Sequence, residues 1–89
     1  MGAVVDSRGK RREIREAFAA LLAERSPEAT LCPSEVARRV FPREEWRERM
    51  GLVREVGHGM VEEGTLVIRQ RGEIVAPDAA RGPIRYGRA

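Results

Sequence analysis

Cysteine, histidine, tryptophan and tyrosine each occur once in these 89 residues, phenylalanine twice, and aromatic side chains make up only 4% of the chain. One cysteine, Cys32, has no second thiol for an internal disulfide, and one histidine, His58, has no other histidine with which to complete a metal site. No apolar run is long enough for a membrane span or for the hydrophobic segment of a signal peptide, so the chain is expected to be cytoplasmic with no membrane partner. What is present is a hydrophobic fraction of 42%, enough for the small core of one domain, and 35% charged residues, enough to coat it.

The net charge of +3 and the pI of about 10.0 invite a nucleic-acid partner. The excess sits at the two ends. Residues 1–15 hold Arg8, Lys10, Arg11, Arg12 and Arg15 against Asp6 and Glu13, and residues 64–89 hold Arg69, Arg71, Arg81, Arg85 and Arg88 against Glu73 and Asp78. Residues 43–63 are net acidic, with Glu44, Glu45, Glu48, Glu55, Glu62 and Glu63 outnumbering Arg43, Arg47, Arg49 and Arg54.

Ile14, Ala17, Phe18, Leu21 and Leu22 recur at helical spacing, which predicts a first helix over 10–24 that Ser26-Pro27 ends. Residues 29–31 read as a short strand. Pro33 suits the first position of a second helix, with Cys32 at its cap, Glu35 near the positive end of its dipole and Pro42 as its stop. A third helix over 43–63 places Trp46, Met50, Val53, Gly57, Met60 and Val61 on one face and Glu48, Glu55 and Glu62 opposite, with close helix contact expected at Gly57 and a C-cap at Gly64. Residues 65–69 and 73–76, joined through Gln70-Arg71-Gly72, read as a hairpin with Leu66, Ile68 and Val75 inward and Arg69 and Arg71 outward. The expected fold class is α+β, mainly α: a winged helix-turn-helix of three helices plus a β-hairpin wing. Its core is expected to hold Phe18, Leu21, Val36, Val40, Trp46, Met50, Val53, Leu66 and Ile68. Residues 1–9 read as a flexible basic arm, 10–76 as the winged-helix domain, and 77–89 as a tail packed on it through Ile84 and Tyr86.

The run Cys32-Pro33-Ser34-Glu35-Val36-Ala37-Arg38, the spaced Trp46, Arg47, Met50, Val53 and Arg54, the strand-turn Gln70-Arg71-Gly72-Glu73-Ile74-Val75 and the late Arg81-Gly82-Pro83-Ile84-Arg85 occur in this order. With them the stretch from Ile14 to Arg85 resembles an uncharacterised family of small bacterial winged-helix proteins, a domain of unknown function. The resemblance implies a fold and carries no assigned biochemical activity.

The residues assemble no catalytic set, so the chain is not expected to be an enzyme or to need a cofactor, and no small-molecule substrate is identified. His58 and Glu62 are spaced to pair on a helix surface. Cys32 with His58 would be a nucleophile and base in one reading, and a packed cap residue in the favoured one. Trp46 could stack on a base, but heading an apolar stripe argues for the core.

The leading expectation is a nucleic-acid-binding winged helix, a regulatory accessory factor acting on DNA, with Arg38, Arg39, Arg43 and Arg47 on the helices and Arg69 and Arg71 on the wing meeting the duplex. Glu44, Glu45 and Glu48 oppose it at the end that would enter a groove. Arg81 and Arg85 around Gly82-Pro83 could clamp an anion, or Ile84 could simply pack the segment down. The alternative is a protein-protein interaction module that docks a partner through the acidic third helix or the wing edge.

Overall fold

The computed structural model describes residues 7–89 and is an α+β structure, mainly helical. Helix α1 runs over Ser7–Ala23, strand β1 over Thr30–Leu31, helix α2 over Pro33–Val40 and helix α3 over Met50–Glu62, with a 3-10 turn at Trp46–Arg49 leading into α3. Strand β2 covers Leu66–Gln70, β3 Glu73–Val75 and β4 Arg85–Arg88, with a 3-10 turn at Pro77–Ala79 between the last two. No helix among the described residues is long and apolar enough to cross a membrane.

Local chemistry accounts for the boundaries. Pro33 opens α2 where its missing N–H costs nothing, and the Glu35 carboxylate accepts the Cys32 backbone N–H at 2.9 Å. Phe41 closes α2, its N–H donating to Ala37 O, and Pro42 prevents continuation. At the end of α3 the N–H of Gly64 reaches Val61 O and that of Thr65 reaches Met60 O, with Gly64 at φ 86°, which is a Schellman closure. The hairpin β2–β3 turns through Arg71 at φ 53° and Gly72 at φ 82°, with Gln70 opposite Glu73, the signature of a two-residue type I′ turn.

The four strands form one antiparallel sheet in the order β1-β4-β2-β3. One sheet face carries Leu31, Leu66, Ile68 and Tyr86, all buried against Ile14, Phe18 and Leu22 of α1, Val36 and Ala37 of α2, and Val53, Val56 and Met60 of α3. The Phe18 and Tyr86 rings meet edge to face at 5.0 Å. Because side chains alternate across a strand, the register pairs Arg69 with Ile74 and with Arg85 as a row on the face turned away from the helices.

Several expectations change. Of the basic arm expected over 1–9, residues 1–6 lie outside the described residues and residues 7–9 form the first turn of α1. The third helix is not continuous from residue 43: residues 42–49 tighten into turns before α3 begins at Met50. Phe18, Val36, Val53, Leu66 and Ile68 are buried as expected, whereas Leu21, Val40, Trp46 and Met50 stand half-buried at the rim. The segment read as a tail supplies β4, which pairs with both β1 and β2 and places Tyr86 at the centre of the core. His58 does not pair with Glu62; its Nδ1 lies 2.9 Å from Tyr86 Oη.

Candidate nucleic-acid interface

Sixteen of the seventeen basic residues are arginines, and two populations among them bear on a site. One population is neutralised across helix contacts. Arg11 pairs with Glu55 at 2.6 Å and Arg15 with Glu63 at 2.8 Å, which joins α1 to α3; Arg39 reaches Glu24 at 3.6 Å, and Arg25 binds Glu35. The Arg25 guanidinium holds the Glu35 carboxyl below the usual carboxylate range, helped by the Cys32 N–H and opposed by partial burial. Of the acids expected opposite the apolar face of the third helix, Glu48, Glu55 and Glu62, Glu55 is therefore occupied by α1, as is Glu63 at the C-cap of α3.

The other population, Arg38, Arg43, Arg47, Arg69, Arg71, Arg81 and Arg85, has no carboxylate within 4.0 Å among the described residues and forms two groups. Arg38 in the last turn of α2, Arg43 in the following turn and Arg47 beside Trp46 line a concavity of about 370 Å³ whose fourth wall is the Trp46 indole. The guanidinium carbons of Arg38 and Arg47 lie 4.7 and 4.5 Å from the indole centroid, both within cation–π range. Nearby, Lys10 and Arg49 stand 5.5 and 5.7 Å from the Phe41 ring. Trp46 thus serves as a wall for arginines at the rim and not as a core centre. Stacking on an aromatic face restrains a guanidinium without cancelling its charge, which an ion pair would do.

The second group is Arg69 and Arg71 of the hairpin with Arg81 and Arg85, around a concavity of about 970 Å³ that also touches Thr30 and Gln70 and includes one acid, Glu73. Cys32 at the start of α2 lines this concavity and Arg38 near the end of α2 lines the first, so the two groups lie toward opposite ends of a helix ~12 Å long. Of the six residues expected to meet nucleic acid, Arg38, Arg43 and Arg47 come together, Arg69 and Arg71 join the anion-clamp candidates Arg81 and Arg85, and Arg39 is drawn aside to Glu24.

Among the acids on the same turn, Glu45 accepts from Arg49 at 3.4 Å, while Glu44 and Glu48 are exposed. No hydrogen bond joins Cys32 to His58: Cys32 Sγ accepts from Ser34 Oγ at 3.2 Å, and His58 is committed to Tyr86. The role of Trp46 escaped the sequence reading because its place in an apolar stripe outweighed the one available signal, arginine in preference to lysine throughout. Gln70 and Thr30, which position Arg81 and Arg85, gave no signal at all.

The comparison with curated proteins gives no match. Residues 11–89 match the model of the family described as a protein of unknown function, DUF3253, and with nearly the whole chain covered the protein belongs to that family.

Proposed function

We propose that this is a winged-helix protein that binds nucleic acid, duplex DNA in the first instance, as a non-catalytic factor. In this reading α2, the turn over 41–49 and α3 form the helix-turn-helix, and the β2–β3 hairpin is the wing. The observation that carries it is the turn patch, where Arg38, Arg43 and Arg47 converge on Trp46 with no carboxylate partner among the described residues. Phosphate contacts set orientation and most of the affinity, and arginines held by stacking lose less side-chain entropy on meeting them. Arg69 and Arg71 form a second basic group at the hairpin, beside the other end of α2. The protein-docking alternative has less support, because Glu55 of α3 and Glu63 at its C-cap are already paired with Arg11 and Arg15.

Fluorescence anisotropy with labelled duplex DNA and RNA over a salt series tests the proposal. Three to five phosphate contacts give a log–log slope of roughly −3 to −5. Arg38→Gln, Arg43→Gln and Arg47→Gln together are expected to flatten it by about 3. Micromolar protein that binds neither nucleic acid at low salt would overturn the reading.

A further inference from the structure

The arginines of the second concavity are held differently from those that pair across the helices. Three of the four, Arg69, Arg81 and Arg85, are oriented by neutral oxygens. Arg85 donates from Nε to Thr30 Oγ1 at 2.6 Å and from Nη2 to Thr30 O at 3.1 Å. Arg81 donates from Nη1 to Asp78 O and Ala80 O, both at 3.2 Å, and Arg69 donates from Nη1 to Gly72 O at 3.3 Å. The Gln70 carboxamide in turn fixes the loop that carries Arg81, donating to Arg81 O and to Pro83 O at 2.9 Å while accepting the Arg81 N–H at 3.3 Å. Carbonyl and hydroxyl oxygens orient a guanidinium and leave its charge intact. The remaining N–H groups stay available to an acceptor.

Two features of this arrangement run against stability in the unliganded chain. Arg69 and Arg85 stand directly opposite each other on β2 and β4, a like-charge cross-strand pair. Arg71 occupies the first central position of the type I′ turn at φ 53°, where asparagine or glycine is the favoured residue. A polyanion seated between the arginines relieves the first and gives the second a use, since local rules are most often broken where a ligand binds.

We propose that the concavity formed by Arg69, Arg71, Arg81 and Arg85 binds a ligand carrying two or more phosphate groups, at a site separate from the turn patch. The proposal goes beyond the DNA reading and stands whether or not the turn patch holds a duplex. The guanidiniums supply bidentate donors to phosphate oxygens, and four positive charges against Glu73 favour a multiply charged anion over a single carboxylate. The phosphates can belong to a free diphosphate compound or to successive nucleotides of a nucleic-acid strand.

The test uses inorganic pyrophosphate as the probe on the full chain, by calorimetry and by the arginine Nε–H resonances in NMR, with sulfate at matched ionic strength as control. Saturable pyrophosphate binding that shifts the Arg69, Arg81 and Arg85 signals, with the Trp46 fluorescence unchanged, is expected. Arg71→Asn is the variant least able to fail by misfolding, because asparagine suits the turn; it is expected to raise the melting temperature while weakening pyrophosphate by about tenfold. Arg81→Gln should weaken binding with little change in melting temperature. If a short duplex displaces pyrophosphate, the phosphates are those of a nucleic-acid backbone; if pyrophosphate stays bound to the protein–duplex complex, the site serves a free diphosphate. Both outcomes support the site. Pyrophosphate acting no differently from sulfate, or shifts centred on Arg38, Arg43 and Arg47, would overturn it whatever the DNA titration shows.

Discussion

The ring of Tyr86 fills the place where residue 57 would carry a side chain: a Cβ on Gly57 would lie 2.7 Å from Tyr86 Cζ and 2.9 Å from its Oη. The glycine is therefore a packing requirement between α3 and β4. Gly59, two residues on, has nothing within 4 Å of the corresponding point. Both sit inside α3, so both alanine substitutions gain ~1 kcal/mol of helix propensity. Gly59→Ala should keep it and raise the melting temperature. Gly57→Ala should lose it to overpacking and destabilise by a net ~1–2 kcal/mol, measured by urea unfolding. Equal effects at the two positions would refute the close contact.

Tyr86 is fully buried, and burial pushes its hydroxyl up to about 12 against the slight opposing influence of Arg54. The folded-state value is raised, so the contribution to stability is complete below the ordinary value of 10.0 and is lost as pH rises beyond it, when the unfolded chain ionises first. As the only tyrosine, it reports directly in ultraviolet difference absorbance. Titration should be delayed to near 12 in the folded protein and fall back toward 10.0 in urea. Tyr86→Phe, which leaves His58 Nδ1 without its partner, should cost ~1 kcal/mol and abolish the alkaline dependence.

Trp46 belongs to the rim, half-buried and in contact with two guanidiniums. Trp46→Ala is expected to destabilise by ~1–2 kcal/mol, below the ~3–5 kcal/mol of a wholly enclosed aromatic. The same substitution should weaken duplex binding, because Arg38 and Arg47 lose the surface that restrains them. A full core-sized loss in urea unfolding would return Trp46 to the interior.

The contrast between Trp46 and Tyr86 shows what the sequence could reveal. Helix α1, the Pro33 start of α2, the Gly64 cap and the Gly72 turn were legible because periodicity, proline geometry and positive φ each act within a few residues. The central strand was not. Arg-Tyr-Gly-Arg has two charges and a glycine in four residues and no apolar alternation, and its place between β1 and β2 depends on partners 55 and about 20 residues away in sequence. Likewise residues 43–49 read as helix by spacing, while the observed backbone is a turn followed by a tighter 3-10 helix over Trp46–Arg49. The arginine clusters were half legible: the residue types were evident, but which arginines are neutralised follows from helix packing alone.

Glu35 gives a pH dependence of the opposite sense. Its carboxyl is held low chiefly by the Arg25 guanidinium, then by the Cys32 N–H, with Arg85 adding a smaller share. A depressed folded-state value means stability that is present above the ordinary value of 4.5 and lost as pH falls below it. Glu63, lowered by Arg15, acts in the same direction from an exposed position. Melting temperature should decline on acidification between about pH 5 and pH 3, and Glu35→Gln should start lower at neutral pH and decline less steeply. An unchanged acid slope in Glu35→Gln would remove the Arg25–Glu35 pair from the account.

Glu44 and Glu48 separate nucleic-acid binding from a merely solvated charged turn. Both are exposed on the turn that carries Arg43 and Arg47, and neither has a basic partner within 4.0 Å among the described residues, unlike Glu45, which is held by Arg49. If phosphates approach this turn, the two carboxylates repel them at close range, an effect that weakens with added salt. Glu44→Gln with Glu48→Gln should therefore tighten non-specific duplex binding severalfold at low salt, with the gain fading toward physiological ionic strength. Glu45→Gln adds one positive charge by freeing Arg49, half the change of the double variant, so its gain should be smaller. The stability of both variants should stay within ~0.5 kcal/mol of the parent, since such charges contribute little to folding. Identical affinities for the parent and the Glu44/Glu48 double variant would mean that the duplex, if bound, approaches another surface, and the arginine concavity beside the hairpin would then be the place to look.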